Sequence, residues 1–160
     1  MNSGRISYSS VAVATGGLFG ALGTIADWFG YTTALSGGGS GTIGIQGLSS
    51  PGGKLAAISG LLCVLFGGLG ILMPDKRGGW LTALMMIAAI GVVTGVVFGA
   101  IAGTNTVADA AKEAGVASYN YVRRGGLVIS FMGGIIAMAG AFLQATDKPG
   151  ETVLDQMEGR

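Results

Sequence analysis

Four apolar stretches, residues 11–29, 55–73, 80–103 and 127–145, contain no Lys, Arg or Glu, and their one Asp is Asp27, near the end of the first. Each is at least 19 residues long. At ~1.5 Å rise per residue, a helix of ~20 residues crosses a hydrocarbon layer ~30 Å thick. Inside lipid a backbone has no water to bond, so each crossing segment must be helical. The expected fold is therefore all-α: a polytopic membrane protein with four transmembrane helices in an antiparallel bundle.

Composition agrees with one membrane domain covering residues 1–160. Half of the residues are hydrophobic and only 11% are charged, against about 25% charged in soluble domains. The intervening segments 30–54 and 104–126, and the acidic tail 146–160, are too short to bury cores of their own. The tail is expected to be solvated. An N-terminal run preceded by Arg5 raises the possibility of a secretory signal. Its 19 apolar residues exceed the usual h-region of ~7–15, and no small-x-small cleavage site follows, so a retained first span is expected.

Chemistry is sparse. With no His and one Cys, Cys63, His-ligated haem, an ordinary Cys/His zinc site, His acid–base catalysis and an intramolecular disulfide are all excluded. No cofactor and no metal site is expected. A net charge of +1 gives no footprint for nucleic acid. Gly52-Gly53-Lys54-Leu55 does not complete a phosphate-binding loop, which needs Ser or Thr after the lysine. No span carries a mid-membrane carboxylate or a proline, as ion-coupled transport would require. Asp27 is expected to face water or to pair with Lys54 or Arg124, and a polar site at the membrane surface would comprise Asp27, Arg123 and Arg124.

The strongest pattern is glycine. Gly91, Gly95, Gly99 and Gly103 recur every fourth residue along one face of span three, with Gly16 and Gly20 on span one and Gly126, Ser130 and Gly134 on span four. Such side-chain-free stripes let helix backbones approach closely, which matters in lipid, where apolar burial between helices gains little. They serve either the chain's own packing or the docking of a partner, with span three as the partner-docking face.

Between the spans, the Gly/Ser-rich segment 30–53 reads as a flexible connection with its core at 36–41. Ser50-Pro51-Gly52-Gly53 marks a turn, and 73–79 a tight reversal that pairs spans two and three. Thr106-x-x-Asp109 resembles a capping signal opening a short extramembrane helix over about 107–118. Trp28, Phe29, Tyr31, Trp80, Tyr119 and Tyr121 stand where interfacial anchors belong. Gly52-Gly53 and Gly125-Gly126 each lead into a Gly-rich span that ends before Asp-Lys, a pattern that fits two related hairpins and equally arises by chance in such sequence. The tight basic turn Lys76-Arg77 favours both termini in the cytoplasm of a cell-membrane (plasma or inner-membrane) protein.

The reading that follows is a non-catalytic membrane subunit: an accessory, assembly or stabilising component of a larger complex, or a self-oligomerising scaffold. Its partners would be the lipid bilayer and either other membrane subunits or copies of itself. The alternative is a holin-like pore or small-solute channel, lined by Thr15, Thr94 and Ser130. A surface enzyme using Asp27 with Arg123 or Arg124 is the least favoured class.

Overall fold

A computed structural model describes residues 7–34, 40–73 and 79–146. Residues 36–39 of the expected flexible core, 74–78 of the reversal, Arg5 and the acidic tail from 147 lie outside the described residues, whereas Ser40 and Gly41 of that core are paired strand rather than flexible connection. In chain order the elements are α1 (Tyr8–Ile25), β1 (Asp27–Ala34), β2 (Ser40–Gln46), a single 3-10 turn (Gly47–Ser49), α2 (Pro51–Leu72), α3 (Gly79–Glu113), β3 (Asn120–Arg123) and α4 (Gly125–Thr146). All four α-helices are long and apolar enough to cross a membrane. They pack as a ring in which α1 and α3 each touch α2 and α4, with little contact across either diagonal.

Size sorts the side chains. The inward residues of α1 include Gly16, Gly17, Gly20 and Gly23; those of α2 include Gly52, Ala56, Ser59, Gly60, Cys63 and Gly67; those of α4 include Ser130, Gly133, Ala137, Gly140 and Ala141. Many large residues point out: Leu22, Ile58, Leu65, Ile87, Ile101, Val128 and Phe142 are each half or more exposed, while Val13 of α1 and Leu81, Met85 and Val92 of α3 fill the centre. In water such a girdle would be an aggregation surface. It is compatible with a multi-pass membrane protein.

The helix contacts are backbone to backbone. A Cβ on Gly16 would lie 2.6 Å from the Gly133 carbonyl oxygen and 2.9 Å from Ala137 Cα, so α1 and α4 cross with no side chain between them. Gly60 stands in the same relation to the Gly17 carbonyl of α1, at 2.7 Å. At the end of the bundle away from the sheet, the hydroxyls of Ser7, Ser9 and Ser10 donate to Gln144 Oε1 at 3.2, 2.5 and 3.1 Å, tying the start of α1 to the end of α4. Four polar side chains are thereby satisfied where water is excluded.

Two expectations need correction. The chain is not wholly α: β1, β2 and β3 form a three-stranded antiparallel sheet in the order β2-β1-β3, seated at one end of the bundle. Aromatic and β-branched residues of 28–33 suit a pleated, half-buried strand, and α1 ends at Ile25 because this strand begins. Pairing of β1 with β3 joins positions some ninety residues apart, a contact no local pattern announces. The second correction concerns 107–118. Rather than a separate capped helix, α3 runs unbroken to Glu113, and Thr106 lies mid-helix with its Oγ1 donating to the Ala102 carbonyl. No proline interrupts the segment, and Val107 and Ala111 are buried in the cluster beneath the sheet. At 35 residues the helix is about 52 Å long, roughly 20 Å beyond a hydrocarbon core. It stops at a Schellman cap: Val116 N–H donates to the Ala111 carbonyl and Gly115 N–H to the Lys112 carbonyl, with Gly115 at φ 69°.

Helix α2 starts as its sequence implies. Ser50 caps it, accepting from Gly53 N–H at 3.0 Å while donating to the Gly47 carbonyl at 2.9 Å, and Pro51 occupies the first turn, where its missing N–H costs nothing.

Candidate functional site

Charge is distributed one-sidedly. Among the described residues the charged side chains are Asp27, Lys54, Asp109, Lys112, Glu113, Arg123 and Arg124, all on the sheet, the start of α2 or the distal part of α3. Any polar recognition by this part of the chain belongs to the sheet end.

The sheet is anchored from below. Its register shifts between Asp27 and Phe29, and such an irregularity re-aims side chains. Consecutive aromatics Trp28 and Phe29 are both fully buried, and Tyr31 nearly so. Trp28 Nε1 donates to the Gly23 carbonyl at 2.9 Å, and its ring lies against Gly47 and Gly99. Phe29 covers Gly103 and lies edge-on to Trp28, 6.1 Å between ring centroids. Tyr121 and Tyr119 of the α3–α4 connection approach Phe29 and Tyr31 at 6.1 and 5.9 Å. These aromatics were expected to mark membrane depth. Trp28, Phe29 and Tyr31 instead form the core of the cap, since a three-stranded sheet needs an apolar face packed on something to be stable. Trp80, at the start of α3, is exposed instead.

The glycine stripe of α3 is occupied from within. Gly91 faces Ser59, Gly95 lies against the backbone of Gly52 and Ala56, Gly99 against Trp28 and Gly103 against Phe29. On α1, Gly16 meets α4 and Gly20 meets Val92; on α4, Gly126 meets Ala26 and Asp27, and Gly134 meets Val92 and Val93. Ser130 is fully buried beside Gly23, its hydroxyl without a hydrogen-bond partner. Thr15 and Thr94 are exposed while Ser130 is buried, so these three do not line one path.

The surface residues Asp27, Arg123 and Arg124 all lie on or beside the sheet. Arg124 N–H donates to the Trp28 carbonyl, and Arg124 Nε is buried near Gly30 without a hydrogen-bond partner. The Asp27 carboxylate lies against Gly44, where it leaves no room for a side chain. It forms no salt bridge with Lys54, Arg123 or Arg124.

A groove missed by sequence reasoning opens beside Asp27. It has a volume of about 690 Å³ and lies between the last residues of β2, the start of α2 and the distal turns of α3; its lining includes Gln46, Ser49, Thr106, Asp109 and Glu113. Thr106, Asp109 and Glu113, three and four residues apart, share one helical face. Three carboxylates line the groove; neither Lys54 nor Lys112 does. Among the described residues no group of three His, Cys, Asp or Glu side chains is placed to hold a metal ion. The signal was present in the spacing of Asp109 and Glu113, but only the continuity of α3 brings them opposite β2.

No family model matches the chain, and no curated protein matches it either.

Proposed function

We propose that this chain is a small, non-catalytic integral membrane subunit of the cell membrane, with both termini in the cytoplasm and the sheet outside, whose work is assembly through its extramembrane end. One observation carries this reading: the helix grooves are filled by the chain's own backbone and aromatics, while the sheet end keeps an open groove and two strand edges with no neighbour among the described residues. Unpaired strand edges are templates for association unless they are covered. The girdle of exposed Leu, Ile and Phe supports lipid as the remaining partner.

Purification from native membranes in a mild detergent, followed by mass determination, tests the proposal. The expected result is a stoichiometric assembly, of this chain alone or with other membrane subunits. A monodisperse monomer at native expression would contradict it.

A further inference from the structure

The two edges of the sheet, neither of which has a further strand beside it among the described residues, differ in charge. On one side β2 borders the groove of Asp27, Asp109 and Glu113 through Gly44, Ile45 and Gln46, whereas the opposite edge, β3, carries exposed Arg123. They stand about 10 Å apart, two strand spacings across the sheet. Both strands run antiparallel to β1 and therefore parallel to each other. Thr42 and Asn120 lie at the same level, because each pairs with Thr32.

From these features we propose that the partner is a second copy of this chain, docked with its β3 edge against the acidic β2 edge. This rests on the assembly role proposed above and specifies its partner. Charge selects the arrangement. A two-fold contact of β2 on β2 would oppose two acidic grooves, and β3 on β3 would oppose two copies of Arg123; like-charge juxtaposition suppresses both. The unlike edges attract. Because the contact joins different surfaces, each copy keeps one acidic and one basic edge free, and association continues into a ring or an open row within the membrane plane. Copies related by a sideways shift present their strands in parallel, with Thr42 of one level with Asn120 of the next.

Reciprocal charge reversal tests this in liposomes or native membranes. Asp109→Arg with Glu113→Arg makes both edges basic; Arg123→Glu makes both edges acidic. All three side chains are exposed, so the fold should tolerate the changes. Each variant alone should lose self-association about tenfold or more, and mixing the two should restore it. Thiol cross-linking supplies a second readout that leaves the charges native. On a Cys63→Ala background, Thr42→Cys and Asn120→Cys should each fail to form disulfide dimers alone and should form them when mixed. Undiminished self-association of both reversal variants, or cross-linking of either cysteine variant with itself as efficiently as in the mixture, would overturn the edge pairing. Should the native chain assemble only with other proteins, the pairing falls and the assembly role stands; a monomer removes both.

Discussion

Gly95→Leu should destabilise the isolated chain by about 3 kcal/mol or more, at the upper end of overpacking costs. A Cβ at this position would stand 2.6 Å from Ala56 N, 2.7 Å from the Gly52 carbonyl oxygen and 3.0 Å from Ala56 Cα. All three are backbone atoms, so no rotamer change makes room and α2 must move away from α3. Gly68→Leu is the control: nothing lies within 4 Å of its Cβ position, and its effect should be small. Thermal unfolding of the detergent-solubilised monomer measures both. The comparison separates two meanings of a glycine stripe. If the stripe on α3 served only a partner, Gly95→Leu would weaken association and leave the melting of the monomer unchanged.

Trp28→Ala should cost about 3–5 kcal/mol, the range for truncating a large buried aromatic. The substitution empties a fully buried site between the sheet and the helices, leaves the Gly23 carbonyl without its indole donor, and uncovers Gly47 and Gly99. Its consequences should be local as well as global. Amide exchange should accelerate across β1 and β2 and at the end of α1, while the crossing of α1 and α4 at Gly16 and Gly133 keeps its protection. Equal acceleration throughout the bundle would mean that the cap and the helices do not form separable cooperative units. Trp28→Phe keeps an aromatic ring but loses the donor and part of the volume, and should fall between the native chain and Trp28→Ala.

How far the sequence discloses this molecule depends on the range of the interaction concerned. The helices were legible because the demands of a membrane-crossing helix fall on every residue of the segment: uninterrupted apolarity marks it, and small residues at helical spacing mark its inner face. Gly16, Gly95 and Gly134 could be placed on packing faces from spacing alone. The sheet was not legible. Its second strand, Ser-Gly-Thr-Ile-Gly-Ile-Gln, is rich in residues that also make flexible connections, and β3 offers four residues that gain a register only from β1. The aromatic run at 28–31 misled for a related reason. Trp and Tyr at the end of a span suit the bilayer interface, and only the strand pairing turns them inward. The capping pattern at Thr106 and Asp109 was real as a sequence match, but capping needs a chain that enters the helix from outside, and here Ala102 already supplies the preceding turn. The acidic groove followed the same logic: its carboxylates come from β1 and α3, and proximity depended on a helix running longer than expected. Opposed charges at the two sheet edges became visible only once the strand order was known.

The central claim is that a girdle of large apolar side chains faces lipid while the helices meet inside through glycine, alanine and serine, around a few α1 and α3 side chains such as Val13, Met85 and Val92. Extraction of native membranes with alkaline carbonate, followed by ultracentrifugation, tests it most directly. The account predicts that the chain stays with the membrane pellet and leaves it only when detergent is added. Release into the supernatant without detergent would contradict it.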